Sequence, residues 1–143
     1  MKILWRLLEE RDESVNISHK GMPTYRAHCK FVNSRPYKAW YFIVVDNEVV
    51  GSCYLTKNNE IGIQIFAAHQ GNGYAETAVS CLMSLHGKEL RYLANINPRN
   101  GKSRAMFEKL GFRHIQDTLE LTPSGSLETS SKPSVNTPVR RTA

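Results

Sequence analysis

A chain of 143 residues, with 41% hydrophobic and 22% charged side chains, has the length and composition of one globular domain. No apolar run approaches the ~20 residues that cross a bilayer, and Lys2 and Arg6 bring charge too early for a secretory signal. The net charge of +6 leaves two kinds of partner open, nucleic acid or a small polyanion.

Taken in chain order, Lys2 to Leu8 is apolar enough for a strand, followed by a short helical or irregular piece from Glu9 to Ile17. Met22-Pro23-Thr24 opens a helix whose apolar positions Tyr25, Cys29 and Val32 are spaced by four and three. Ala39 to Val45 is a near-continuous apolar run, and Asp46-Asn47 turns it into a returning strand, Val49 to Thr56. Within the run, Trp40 and Phe42 share one face and Tyr41 takes the other, a pattern expected of core packing. Lys57-Asn58-Asn59 makes a second turn before Ile61, Ile63 and Ile65, so three strands form an antiparallel meander.

The glycine-bearing stretch Gln70-Gly71-Asn72-Gly73-Tyr74-Ala75 then leads into a helix from Glu76 to His86. A strand from Arg91 to Ile96, a helix from Lys102 to Leu110 with Gly111 as its C-terminal stop, and a last strand from Phe112 to Leu121 complete the pattern. The resulting order, β-α-βββ-α-β-α-β, describes one mixed α/β domain over residues 1–121. From Thr122 to Ala143 the chain is dominated by Ser, Thr and Pro, and is expected to be a flexible tail. That tail holds a third of the net charge. The odd, scattered set Cys29, Cys53 and Cys81 lacks a CxxC, which excludes a disulfide framework or zinc knuckle. It predicts three small buried hydrophobes in a reducing compartment, hence a cytoplasmic protein.

The chemistry concentrates in the glycine loop. A helix N-terminus leaves backbone N–H groups unpaired under a partial positive charge, and glycines let phosphate oxygens approach them. Gln70 adds an amide donor at the mouth of the loop. The loop lacks the Lys-Ser/Thr ending of a P-loop and the spacing of a dinucleotide fingerprint. It does match Gln/Arg-x-x-Gly-x-Gly/Ala through Gln70, Gly73 and Ala75. Downstream, Asn97-Pro98-Arg99-Asn100 precedes a helix ending Glu108-Lys109-Leu110-Gly111-Phe112. With these two motifs in order, over roughly Val49 to Leu121, the chain resembles the GNAT superfamily of acetyl-CoA-dependent N-acetyltransferases.

That resemblance implies a mostly antiparallel mixed sheet flanked by helices, with a splayed pair of parallel strands that admits the acyl chain. It implies acetyl-CoA as cofactor. Ile63, Ile65 and Phe66 would face the pantetheine arm, while Gln70, Gly71, Asn72, Gly73, Tyr74 and Ala75 would hold the pyrophosphate. Asn97 and Asn100 would line the far side near the thioester, with Asn97 also a catalytic candidate. Ser103 and Arg104 would reach phosphate or thiol. The family often carries a tyrosine as general acid where this chain has Phe107, which cannot donate a proton.

An attacking ammonium must lose a proton, and Glu60, ten positions before Gln70, is the candidate base. Ser18, His19, Tyr25 and Tyr54 are candidate acceptor-site residues, joined by His28, which on its own reads as structural or exposed, whereas His69 reads as an exposed turn residue. No cysteine lies in the motifs, so the expected reaction is direct transfer to a primary amine of a small molecule, including an amino sugar. An amine on aminoacyl-tRNA or another nucleic acid, and a non-catalytic acyl-CoA-binding module, stay open as alternatives. No metal or membrane partner is expected, and the chain is expected to act as a monomer or homodimer.

Overall fold

A computed structural model describes residues 1–12, 15–16 and 21–123. Residues 1–113 form one compact unit. Its elements are α1 (Lys2–Glu9), α2 (Tyr25–Asn33), β1 (Ala39–Val45), β2 (Glu48–Leu55), β3 (Ile61–Ile65), α3 (Tyr74–His86) and α4 (Gly101–Lys109), with a 3-10 turn (Ala67–His69) after β3. The meander is present as expected, in the order β1-β2-β3 with both pairs antiparallel. Asp46 and Asn47 both adopt positive φ (48° and 62°), the two-residue turn whose twist suits a hairpin.

The sheet separates its neighbours by residue parity. Cys53, Leu55 and Ile61 point to one face and are buried against Val79 and Leu82 of α3 and Phe107 of α4. On the opposite face, Trp40 and Phe66 pack with Leu4 and Leu7 of α1 and with Val32 of α2. The Gln64 side-chain amide also donates to the Leu7 carbonyl, fastening α1 across β3. Residues 92–96 keep a strand's alternation, because Tyr92, Ala94 and Ile96 pack on the first core.

Six expectations are corrected, four of them in the helices, cysteines and first strand. Residues 2–8 form a helix, since Ile3, Leu4, Leu7 and Leu8 share one helical face opposite Lys2, Arg6 and Glu9, in a run of strong helix formers. In α2 the buried residue is His28, while Tyr25 is 43% exposed; Thr24 caps the helix by accepting the Ala27 N–H at 3.2 Å. Of the cysteines only Cys53 is buried, with Cys29 half-buried and Cys81 exposed on α3. Phe42 is 46% exposed and is not a core residue.

The strand expected at 91–96 reduces to one parallel bridge, Glu60 with Leu93. The last expected strand, 112–121, is absent: residues 112–123 carry no helix or strand. In the second unit, whose described part is 114–123, polar groups find local partners instead of a ladder, as His114 Nε2 lies 2.7 Å from the Gln116 carbonyl and 3.1 Å from Asp117 Oδ1. The tail from residue 124 lies outside the described residues.

Candidate active site

β3 has two unlike edges. Toward β2 the hydrogen-bonded pairs fall on even residues: the Thr56 N–H donates to the Glu60 carbonyl at 2.9 Å and the Phe66 N–H donates to the Val50 carbonyl at 2.9 Å. By alternation, the peptide groups of Ile61, Ile63 and Ile65 point to the outer edge. There the Ile61 N–H donates to the Leu93 carbonyl at 2.8 Å, and Gln70 Nε2 donates to the Ile65 carbonyl at 3.1 Å. Between these two bonds the Ile63 peptide groups and the Ile65 N–H form a stretch of edge that the 91–96 segment does not cover. A ladder stops after one rung, and a slot opens beside β3.

The slot leads into a cleft of about 800 Å³ between the sheet and the N-terminal helices. Its walls include Glu60, Ile63, Tyr54, Asn97, Asn100 and Ser103. These six candidates from four separate stretches of sequence therefore share one cavity. Ile65 and Phe66 do not line it: Ile65 is buried, and Phe66 sits in the second core with the Arg6 guanidinium 5.3 Å from its ring centre. Both backbone groups of Phe66 are used, its N–H on Val50 and its carbonyl by the His69 N–H at 2.9 Å. Tyr25 packs edge-on against Trp5, 5.2 Å between ring centres, away from the cleft walls. Ser18 and His19 lie outside the described residues.

Both carboxylate oxygens of Glu60 are hydrogen-bonded in the cleft. Its Oε2 accepts the Thr56 hydroxyl at 3.0 Å and its Oε1 accepts Asn95 Nδ2–H at 3.0 Å. The two downstream asparagines have local duties as well. Asn97 Nδ2 donates to the Asn16 carbonyl at 2.8 Å while its Oδ1 accepts the Arg99 N–H at 2.9 Å. Asn100 Oδ1 accepts the Ser103 N–H at 3.1 Å and so caps α4. Arg104 extends along α4 toward Glu108, 4.0 Å away.

Tyr54 owes its position to a glycine. A Cβ at Gly62 would collide with the Tyr54 ring, so only glycine lets that ring lie over β3. Tyr37 stacks on it with ring centres 3.9 Å apart and planes 4° from parallel, and Trp40 meets both edge-on at 4.8 and 6.1 Å. Burial, followed by the neighbouring Tyr54, pushes the Tyr37 phenol well above its ordinary range, so it stays protonated. Tyr37, Gln64, Thr56 and Asn95 carry no motif and escaped the sequence reading. The parity of Asn95 with Leu93, bridged to Glu60, is the signal that could have found one of them.

The glycine loop lies past the C-terminal end of β3. Gly71 and Gly73 adopt φ of 81° and 76°, a region side chains rarely enter, and a Cβ on either would meet nothing within 4 Å. The space beside them is open. Gly73 caps α3 without a side-chain hydrogen bond, leaving first-turn N–H groups for a ligand. Gln70 is turned inward to Ile65, and Asn72 Nδ2 donates to the His69 carbonyl at 3.0 Å, so both brace the loop. The one carboxylate in the first turn, Glu76, is paired with Lys109 of α4 at 2.8 Å. These features fit a diphosphate.

Phe107 is 3% exposed in the core, edge-on to Phe112 at 5.0 Å, and offers no acid. Burial pushes the Cys53 thiol up to about 11, with Cys81 adding to the effect, so it is not a nucleophile.

The opened sheet edge, the loop past the end of β3 and the cleft carboxylate belong to a chain whose family is that of acyl-CoA-dependent N-acetyltransferases. The sequence model of the Acetyltransferase (GNAT) domain matches residues 9–113, and the chain belongs to that family. Among solved structures, it resembles a protein described as a GnaT-family acetyltransferase from Bordetella pertussis, with 22% identity and a TM-score of 0.64 over 83% of this chain and 82% of that one. It also resembles an N-acetyltransferase from Staphylococcus aureus Mu50, with 19% identity and a TM-score of 0.59 over 80% and 79% of the two chains. An aminoglycoside 6'-N-acetyltransferase from Acinetobacter haemolyticus shares 15% identity and a TM-score of 0.56 over 86% and 93%. These likenesses are of fold. No curated protein matches the sequence. Among the described residues no helix is long and apolar enough to cross a membrane.

Proposed function

We propose that the chain moves an acetyl group from acetyl-CoA directly to the primary amine of a small molecule, with amino sugars the first acceptors to test. The observation that carries this reading is the uncovered edge of β3, which begins beside Glu60 and runs toward Gly71 and Gly73. When bound, acetyl-CoA supplies an activated acyl carbon held as a thioester. The amides of Gly71, Gly73 and Ala75 bind its diphosphate, and the outward peptide groups of Ile63 with the Ile65 N–H pair with the amides of its arm. Asn97, Asn100 and Ser103 line the opposite wall, and Arg104 lies on the helix that follows.

Tyr54 and the N-terminal segment bearing Ser18 and His19 position the acceptor. Glu60 accepts the proton that the ammonium gives up, directly or through one water, and a β3 N–H polarises the carbonyl under attack. Phe107 donates nothing, so a coenzyme thiolate must leave without an acid at that position. The domain assigned to this work is 1–121, acting in the cytoplasm as a monomer or homodimer.

Thiol release from acetyl-CoA, measured against amino sugars, polyamines, amino acids and peptides, tests the reading. Turnover with at least one amine is expected. Full acetyl-CoA binding without release for any of them would overturn it in favour of a binding module. Glu60→Gln should lower kcat/KM about 100-fold while cofactor affinity is retained, the usual weight of a general base. Gly73→Asp should lose cofactor binding, because it sets a carboxylate against the diphosphate at a left-handed position; unchanged affinity would remove the cradle.

A further inference from the structure

We infer that Thr56 and Asn95 are positioning residues for the transfer reaction, holding the Glu60 carboxylate from both sides so that it faces the amine. The inference rests on the reading of Glu60 as the proton acceptor. Its basis is a closed set of hydrogen bonds in which every proton can be placed.

A hydroxyl has one proton to give and two lone pairs to receive. At Thr56 both lone pairs are engaged: Oγ1 accepts the Glu60 N–H at 3.0 Å and the Asn58 N–H at 3.3 Å. Its proton therefore goes to Glu60 Oε2, 3.0 Å away. Asn95 Nδ2 can only donate, and its partner is Glu60 Oε1 at 3.0 Å. Each carboxylate oxygen thus receives one donor, which fixes the plane of the group and leaves one lone pair on each oxygen. The proton released when an ammonium becomes the attacking amine passes to one of those lone pairs, and the carboxylate becomes a carboxylic acid.

The two donors reach Glu60 from different elements. Thr56 directly follows β2 and belongs to the turn before β3, whereas Asn95 lies two residues past Leu93, the single point where the neighbouring segment still bridges β3. Beyond that bridge the Asn95–Glu60 bond is the side-chain tie across the opening slot. Glu60 lines the same cleft as Tyr54 and Ile63, so a carboxylate turned away from it would leave the acceptor without a base. A turn carboxylate with no task would be free to rotate in solvent; this one is clamped.

The test compares steady-state constants of Asn95→Leu, Thr56→Val, Thr56→Ser and Glu60→Gln, with circular dichroism to verify folding. Asn95→Leu and Thr56→Val should each lower kcat about tenfold, the scale of one charge-assisted hydrogen bond, with KM for acetyl-CoA unchanged. Thr56→Ser, which keeps the hydroxyl, should retain activity. In a Glu60→Gln background, Asn95→Leu should cause no further loss, since the carboxylate it positions is gone. If Glu60→Gln alone keeps full kcat, the base reading itself fails. If Glu60→Gln is impaired but Asn95→Leu is fully active, or its effect persists undiminished in the Glu60→Gln background, the positioning role is overturned while the base reading stands.

Discussion

Cys53, Leu55 and Ile61 on one face of the sheet are no more than 5% exposed, while their immediate neighbours Tyr54, Glu60 and Gly62 form a wall of an open cleft. The same few residues of strand therefore build both the core and the cleft wall, and Ile61 and Ile63 contribute to both. On the face toward α3 and α4, side chains interlock with no polar group among the buried set. On the face toward α1 and α2, aromatic rings, carboxylate and amides meet around a cavity. Stability and activity are thus most separable at positions that serve one side alone, such as Leu82 in the core and Tyr54 in the cleft wall.

Leu82→Ala breaks the comparison on the core side with the largest effect. The side chain is 1% exposed, so truncation should cost roughly 2–5 kcal/mol in denaturant unfolding while kcat of the folded fraction is retained. Loss of kcat in proportion to stability would show that the two faces are not independent. Gly62→Ala works on the cleft face. The added methyl displaces the Tyr54 ring and its stacked partner Tyr37, costing about 1–3 kcal/mol by overpacking and raising KM for the acceptor, with KM for acetyl-CoA unchanged.

The smallest effect concerns pH. Burial, with the N-terminal charge adding to it, holds the His28 imidazole below its ordinary value of 6.5. The unfolded chain therefore binds that proton more readily. The associated stability is complete above pH 6.5 and is lost as pH falls below it toward the folded value. His28→Leu should make the fall of Tm on the acid side shallower; an unaltered slope would assign that fall to other groups.

The parity that separates the two faces was legible where it repeats along paired strands. Ala39 to Val45 is a strand as read, though without Phe42 in the core, Ile61, Ile63 and Ile65 lie on a strand as read, and the glycine loop precedes a helix. Apolar content alone misled at residues 2–8, because Leu4 and Leu7 are a helical pair and period outweighs composition. Residues 91–96 have the side-chain alternation of a strand without its hydrogen bonds, since pairing depends on a partner that diverges. Thr56, Asn95 and Tyr37 could not be found from spacing, because what defines them is contact across the sheet. Gln70, a donor by motif, turns inward for the same kind of reason.

The uncovered edge of β3 makes the sheet an unfinished one. The Ile63 peptide groups and the Ile65 N–H stand where a fourth strand would complete the ladder, and the neighbouring segment withdraws after Leu93. A bound molecule whose amides follow the spacing of a strand finishes that ladder, and its binding energy is then part of what keeps the domain folded. At a hundredfold excess over Kd this linkage is worth about 2.7 kcal/mol. Cofactor supply would in this way govern how long the protein survives as well as how fast it works.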